Sequence, residues 1–470
     1  MQDTSRLGYV LFLAIVAAIG GFLFGYDTAV ISGTISAVAD QFGLNSLEQG
    51  WYVGCALTGS IFGVAVAGWA SDLMGRKKVL MLSALLFSVS ALGCALSFSF
   101  TSLVWFRIIG GIGIGMVSIV SPMYISEVAI ARFRGGLVAI YQLAITIGFL
   151  GAYLMNFQLL NFSTTEFKTD SLYFSLIFKE EVWRGMLGME FVPAFLFLVI
   201  ILAIPESPRW LIVRHRPIEA EAIFARIYRS VEIGKAKVKE VLLTSERPNT
   251  TALNLLGNPK ILKPVLLGVA IAILGQFMGV NAVLYYGPRI FEQAGISGGD
   301  ALYYQVWIGL VNVLTTVIAL LIIDRLGRKK LVYFGVSGMI ISLMLISFYF
   351  VYGEELGIGS VFLLILFLFY VFATAISISA VIFVLLSEMY PNRIRGIAMS
   401  IAGFSLWVGT YLIGQLTPWL LENLGPAGTF LLFAFMCLPY LFLMWKYIPE
   451  TAGKSLEEIE EYWMGENSQG

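Results

Sequence analysis

The chain has 470 residues, of which 58% are hydrophobic and only 13% are charged, and its mean hydropathy is +0.85. Soluble domains average about 45–50% apolar and about 25% charged residues, so this composition excludes a soluble protein and indicates a polytopic membrane protein. The formal net charge is zero, which gives no electrostatic reason to expect nucleic acid as a partner. The cysteines lie far apart inside apolar runs, so we expect neither a disulfide framework nor a metal site.

About a dozen apolar stretches are long enough for membrane helices of about 20 residues. Numbered in chain order, spans 1–6 are predicted at residues 8–32, 49–70, 79–97, 103–125, 137–157 and 188–204. Spans 7–12 are predicted at residues 264–291, 301–323, 331–351, 360–386, 397–420 and 428–447. The fold class predicted from this pattern is an all-α membrane protein.

Basic residues decide the predicted orientation. If the N-terminus is cytoplasmic, the inner loops carry most arginines and lysines, and the outer side has only Lys168, Lys179, Arg184 and Arg289. This imbalance follows the positive-inside rule, so both termini are predicted to be cytoplasmic. Residues 206–259 then form a cytoplasmic helical linker between two six-helix halves, 1–205 and 260–448, and residues 449–470 form a cytoplasmic tail.

The two halves repeat one another in their inner loops. Acidic and basic residues recur together after the second and the fourth span of each half, and parallel repeats of this kind are typical of one class of secondary transporters. The basic residues alone could be explained by their effect on membrane topology. The acidic residues at fixed offsets are not explained in this way and favour ion pairs that gate the cytoplasmic side. The candidate gating residues are Asp72, Arg76, Glu127, Arg134, Asp324, Arg328, Glu388 and Arg395.

A single carboxylate, Asp27, lies in the otherwise apolar span 1. A charged Asp at the bilayer centre costs about 2.5–3.5 kcal/mol on insertion scales, so such a residue usually serves as a proton or ion site. Arg107, at the start of span 4, is the only basic residue within a span of the first half. A contact between the two that changes with conformation would couple proton binding to transport. A static ion pair is the alternative, and Glu190, early in span 6, is a candidate to modulate the pair.

Several motifs occur in order along nearly the whole chain. They are Gly25-Tyr26-Asp27, two Gly-Arg-Lys-Lys loops, Arg107-Ile108-Ile109-Gly110-Gly111, Pro205-Glu206-Ser207-Pro208-Arg209, Gln276-Phe277-Met278-Gly279-Val280-Asn281, Tyr285-Tyr286 and Pro449-Glu450-Thr451. Together they resemble the sugar porter family of the major facilitator superfamily, in the pattern of its bacterial xylose–proton symporters and glucose facilitators. The resemblance implies a twelve-helix major facilitator fold with a central sugar cavity between two six-helix halves. It also implies that Asp27 and Arg107 form a buried acid–base pair.

The resemblance further implies a sugar site at matching motif positions. Amides suit sugar hydroxyls because each offers a donor and an acceptor, although amides also bond neighbouring membrane helices for about 0.6 kcal/mol. The implied substrate-binding residues are Gln142, Gln276, Asn281 and Asn312, with Tyr285 and Tyr286 as an outer gate and Phe383 and Trp407 as aromatic positions.

The chain departs from the family pattern at three places. Gly275 stands where the family usually has the first of two glutamines, residues 379–383 replace a Gly-Pro and a Trp on span 10, and Leu406 replaces an amide before Trp407. Each missing hydrogen bond is worth about 1 kcal/mol. A monosaccharide is therefore expected as substrate, but no particular sugar is predicted.

We therefore predict a secondary transporter that imports a monosaccharide with a proton by alternating access, with no cofactor and no enzymatic activity. It is expected to act as a monomer in the lipid bilayer of a bacterial inner membrane. A facilitative sugar or polyol uniporter, with Asp27 as a structural charge, is the first alternative. A sugar sensor is the second, although its mark would be a long signalling tail and the tail after Pro449 is short.

Overall fold

The computed structural model describes residues 6–165, 171–245, 258–391, 394–451, 454 and 456–464, and within these ranges all regular structure is helical. Twelve of the described helices are long and apolar enough to cross a bilayer, which confirms the predicted all-α membrane class. Spans 1–6 are Leu7–Gly33, Ser46–Met74, Arg76–Ala95, Phe100–Val128, Arg134–Ser163 and Val182–Ala203. Spans 7–12 are Pro259–Gln293, Gly298–Ile323, Arg328–Tyr352, Ser360–Met389, Arg395–Asn423 and Gly425–Lys446.

Most helices extend past the ends predicted from hydropathy. Span 4 covers Phe100–Val128 rather than 103–125, and span 5 covers Arg134–Ser163 rather than 137–157. The apolar stretch marks only the hydrocarbon thickness, whereas helical backbone hydrogen bonds continue through polar residues in the interface. All twelve predicted spans therefore exist, and only their boundaries differ.

The chain divides into two compact units. The first contains Met1–Thr34 and Cys55–Asn249, and the second contains Ile35–Gly54 and Thr250–Gly470. Within the second unit, Ser36 Oγ donates to Glu292 Oε2 over 2.9 Å, and Gln415 Nε2 donates to the Leu47 carbonyl over 2.9 Å. These two bonds attach the segment Ile35–Gly54 to spans 7 and 11.

Within the first unit, span 4 packs backbone to backbone against the part of span 2 after Gly54, through glycines. A Cβ on Gly59 would collide with the Ile108 carbonyl oxygen, and a Cβ on Gly63 would collide with that of Ile112. Small residues at such contacts allow membrane helices to approach closely. Span 4, which carries Arg107, is thereby held tightly against span 2.

Spans 1 and 5 pack in the same way along their length. Gly25 on span 1 lies too close to the Ile145 carbonyl to accept a Cβ, and Gly148 on span 5 lies equally close to the backbone of span 1. Farther along both helices, Asn156 Nδ2 donates to the Val30 carbonyl over 3.0 Å. The contact between these two helices is therefore continuous rather than confined to one crossing point.

Shorter helices follow span 6, at Pro208–Val213, Pro217–Tyr228 and Val231–Ser245. Ser207 caps the first of them, because its hydroxyl accepts from the Trp210 N–H over 3.3 Å. Side-chain caps of this kind satisfy one of the unpaired N–H groups at a helix start. The helical pattern predicted within the polar stretch is thus present.

Candidate functional site

Span 7 is interrupted where two of the predicted amides lie. Its helices, Pro259–Phe277 and Val280–Gln293, meet at Gly279, whose φ is +91°. Side chains other than glycine rarely adopt this backbone conformation, so a glycine is needed at the break. The break places Gln276 at the end of one helix and Asn281 at the start of the next.

Two hydrogen bonds hold the side-chain oxygen of Gln276. Asn281 Nδ2 donates to Gln276 Oε1 over 2.7 Å, and the hydroxyl of Thr410 on span 11 donates to the same oxygen over 3.1 Å. Thr410 is buried. With Oε1 occupied, the amide nitrogen of Gln276 is the group that can donate to a ligand. The structure thus brings two sequence-predicted amides together with a hydroxyl that the sequence analysis did not select.

The other predicted substrate residues lie on four further helices. Asn312 on span 8 and Trp407 on span 11 are buried, and Gln142 on span 5 is half-buried. Phe383 on span 10 differs from them, because 48% of its surface is exposed. These residues are therefore distributed over both units.

The two predicted gate tyrosines follow the break in span 7. Tyr285 and Tyr286 are both buried, and the Tyr286 hydroxyl donates to the Gly414 carbonyl over 2.5 Å. This bond ties span 7 to span 11 on the same side of the break as Asn281.

Asp27 and Arg107 form a buried ion pair in the first unit. A nitrogen of the guanidinium, Nη1, donates to Asp27 Oδ1, and the two side chains are 1% and 3% exposed. The other carboxylate oxygen, Oδ2, has no hydrogen-bond partner in the part of the chain that the structure describes. Gly110 lies beside it, and a Cβ there would be 3.3 Å from Oδ2. Because buried polar atoms are normally paired, this free oxygen is a suitable place for a proton.

Glu190 lies at an interruption of span 6, close to this pair. The helices Val182–Gly188 and Phe191–Ile200 flank it, and Pro193 cannot donate the N–H that would continue the hydrogen-bond ladder. Glu190 is 2% exposed and interacts electrostatically with both Asp27 and Arg107. The structure therefore pairs Asp27 with Arg107 and places Glu190 within electrostatic range of both.

Arg76 is the centre of an ion-pair cluster at the loop between spans 2 and 3. Its guanidinium donates to both carboxylate oxygens of Glu127 on span 4, over 3.1 Å each, and to Asp72 Oδ1 over 3.1 Å. The Arg76 and Glu127 side chains are each 11% exposed, whereas that of Asp72 is 76% exposed. Bidentate charged pairs are the strong ones, and an exposed pair contributes only about 0–1 kcal/mol. Glu127 is therefore the principal partner of Arg76.

Glu206, which follows span 6, caps the first turn of span 3. Its Oε1 accepts from the backbone N–H groups of Arg76 and Lys77 over 2.9 and 3.1 Å. A carboxylate suits this position because a helix start has unpaired N–H groups and a positive dipole. Gly75, with φ +98°, makes room for it, since a Cβ there would collide with Glu206 Oε2. Burial raises the pKa of Glu206, and the backbone N–H bonds oppose that shift.

The second half repeats this arrangement at the start of span 9. Arg328 Nη2 donates to Glu388 Oε1 over 2.8 Å. Glu450 caps the helix, accepting from the backbone N–H groups of Arg328 and Lys329 over 3.1 and 3.0 Å. The Thr451 hydroxyl adds a bond of 2.6 Å to Glu388 Oε2. The sequence repeat is therefore also a repeat of side-chain contacts.

The remaining predicted gating residues lie differently. Arg134 is exposed, and the ion pair that the structure shows for Glu127 is with Arg76. Arg395 is half-buried and donates from Nη2 to the Tyr390 carbonyl over 3.4 Å. Asp324 lies in the helix Gly298–Leu326, but its side chain falls outside what the structure describes.

The sequence analysis gave no role to Glu206, Glu450 or Thr410. The two glutamates carried a usable signal, because each follows a proline directly after the sixth span of its half. Thr410 carried none, since its partner Gln276 is on a different span and no sequence spacing connects them.

Comparisons with known proteins identify the family to which the chain is similar. The model of the family described as "Sugar (and other) transporter" matches residues 13–463. The chain is 37% identical over 461 residues to the arabinose-proton symporter of Bacillus subtilis (strain 168), covering 97% of this chain and 96% of that protein. It is 36% identical over 497 residues to the D-xylose-proton symporter of Escherichia coli (strain K12), covering 98% of this chain and 97% of that protein.

A solved structure is similar over the whole fold. The partially occluded inward-open conformation of the xylose transporter XylE from E. coli aligns with a TM-score of 0.82 at 33% sequence identity. The alignment covers 95% of this chain and 100% of that one. The similarity therefore includes both units.

Proposed function

Because the chain belongs to the sugar transporter family and its twelve spans have the major facilitator fold predicted from the sequence, we propose that it imports a monosaccharide together with a proton by alternating access. Proteins of this family are transporters, so the chain is a carrier and not an enzyme. Two relatives are named as proton symporters of arabinose and of D-xylose, which supports both the substrate class and the coupling.

The observation that carries the proposal is the buried pair of Asp27 and Arg107. Asp27 Oδ1 is bonded to the guanidinium, and Oδ2 has no partner among the described residues. A carboxylate in this setting can exchange its bond to Arg107 for a proton, which is the property that symport requires and facilitated diffusion does not. Glu190 is a second buried acid that interacts electrostatically with Asp27 and Arg107. These residues are the proposed coupling site.

For the sugar, we propose a site made from the amides Gln142, Gln276, Asn281 and Asn312. Tyr285, Tyr286, Phe383 and Trp407 remain its proposed gating and aromatic positions. The Gln276–Asn281 bond of 2.7 Å supports this assignment, because it leaves a donor on Gln276 and an acceptor on Asn281 side by side. A sugar hydroxyl both donates and accepts, so it can complete such a pair.

We also propose the orientation and setting of the chain. Its termini and the linker 206–259 would face the cytoplasm of a bacterium, and a single copy in the inner membrane would suffice. The bacterial relatives and the distribution of basic residues support this topology.

Uptake by proteoliposomes tests the coupling. With D-xylose, L-arabinose or D-glucose outside, we expect accumulation when the lumen is alkaline and negative, and only equilibration when a protonophore is present. One proton moving through 100 mV supplies about 2.3 kcal/mol, enough for an accumulation of roughly 40-fold. Uptake that reaches the same final level with and without the gradient would instead support the uniporter.

The amide site is tested by sugar affinity. We expect Gln276→Ala and Gln142→Ala each to weaken binding about fivefold or more, since each removes at least one hydrogen bond worth about 1 kcal/mol. Gln293→Ala is the matched control, because Gln293 is an exposed glutamine at the last position of the same span as Gln276. Affinity is measured by calorimetric titration. If it is unchanged in both variants, the sugar binds at a different site.

A further inference from the structure

The side chain of Thr410 is the polar group that reaches Gln276 from span 11. It is buried, and its hydroxyl contacts both Gln276 Oε1, at 3.1 Å, and the carbonyl of Leu406 in its own helix, at 2.9 Å. Thr410 lies one turn after Trp407 and follows the apolar Leu406, where the family pattern has an amide. A hydroxyl four residues later thus supplies the polar contact that this helix otherwise lacks.

Close packing of the two helices makes this contact possible. Gly409 lies directly on Gln276, and a Cβ at Gly409 would be 3.1 Å from Gln276 Cγ and 3.4 Å from Ile273 Cα. A larger residue at 409 would push span 11 away from span 7. The hydrogen bond from Thr410 therefore depends on a backbone that is already held at short range.

No polar group supports Gln276 from the neighbouring position on its own helix. Gly275 faces apolar surroundings, because a Cβ there would lie 3.6 Å from Ile378 Cγ2 and 3.8 Å from the ring of Tyr440. Asn281 is the other partner of Gln276, but two amides bonded to each other can both rotate by half a turn and keep one bond. The Thr410 hydroxyl adds an anchor from a second helix, which restrains the Gln276 side chain.

We propose that Thr410 is a positioning and specificity-determining residue: its hydroxyl anchors the Gln276 side chain so that the amide meets the sugar in one fixed geometry. This inference rests on the proposed function. A site with a fixed donor rejects an analogue that lacks the matching oxygen, because the donor is then left unpaired. A site with a rotating amide loses part of that discrimination.

The test compares a sugar with its monodeoxy derivatives. Purified protein is titrated with D-xylose, L-arabinose and D-glucose, and then with the monodeoxy forms of whichever sugar binds. In the wild type, one derivative should bind distinctly more weakly than the parent sugar. In Thr410→Val, the preference for the parent sugar over that derivative should fall about fivefold, whereas Thr410→Ser should keep it.

Thr417→Val is the matched control. Thr417 lies on the same helix, is fully buried, and donates to the Ile413 carbonyl over 2.6 Å, so the same substitution removes a helix bond without touching Gln276. Its preference should stay within about twofold of the wild type. If Thr410→Val does not fold, Thr410→Ala provides the same comparison.

Two failures can be told apart. If a sugar binds to the wild type and the preference is the same in Thr410→Val and Thr417→Val, the role of Thr410 is overturned while the proposed function stands. If Thr410→Val weakens the parent sugar and its derivative equally, Thr410 is only structural and the proposal is again overturned. If none of the three sugars binds to the wild type, the proposed function itself fails.

Discussion

Replacement of Asp27 by Asn is expected to abolish sugar accumulation and to preserve exchange. Asn cannot carry the exchangeable proton, and it removes the negative charge that pairs with Arg107, so transport loses its link to the proton gradient. Accumulation of up to roughly 40-fold should fall to simple equilibration. Counterflow of labelled sugar, which needs only the conformational cycle, should continue at a measurable rate.

Asp40→Asn is the control for this experiment. Asp40 is exposed and lies shortly after span 1, so the same chemical change there should leave accumulation intact. Loss of both accumulation and counterflow in Asp27→Asn would show that the carboxylate serves the structure rather than the coupling.

Loss of Arg76 or Arg328 is expected to bias the carrier toward conformations that are open to the cytoplasm. Each guanidinium joins the start of one span to the end of another at the proposed cytoplasmic side, through Glu127 and Glu388 respectively. Breaking a largely buried ion pair costs about 3–5 kcal/mol, because the remaining charge is left unpaired. With these contacts absent, the cytoplasmic ends of the helices separate more easily. Single cysteines placed near the cytoplasmic ends of the spans should then react faster from the inside, and cysteines near the opposite ends should react slower from the outside.

Lys78→Ala and Lys330→Ala are the matched controls for Arg76→Ala and Arg328→Ala. Both lysines belong to the same basic runs and are exposed. Their replacement by alanine therefore removes a positive charge from the loop and leaves the ion pairs in place. An equal labelling pattern in arginine and lysine variants would mean that the basic loops set topology alone.

Hydropathy alone was sufficient to find each of the spans that the described residues contain, because a bilayer demands long apolar helices. The repeat of charged motifs pointed to Arg76 and Arg328, which form ion pairs with Glu127 and Glu388 in the structure, and their gating role stays a prediction. It could not show that Glu127 pairs with Arg76 rather than with Arg134, because that choice depends on how spans 3 and 4 pack. Sequence patterns report distances along one helix and say little about contacts between helices.

The same limit explains the residues that sequence analysis missed. Glu206 and Glu450 act on helix starts far away in the chain, and Thr410 acts on a different span. Each contact becomes visible only when the helices are placed in three dimensions. Asp27 was accessible from the sequence because a lone charge in an apolar helix is unusual in itself.

The glycine contact between spans 1 and 5 has a mechanical consequence. Since the two backbones interlock at Gly25 and Gly148 and are tied again at Asn156, neither helix can tilt or slide without taking the other along. Asp27, the carboxylate proposed to exchange a proton, and Gln142, the glutamine proposed to contact the sugar, therefore lie on two helices that we expect to move together. Coupling between the proposed proton site and the proposed sugar site then needs no chain of side chains between them, because a displacement of one helix also displaces the other.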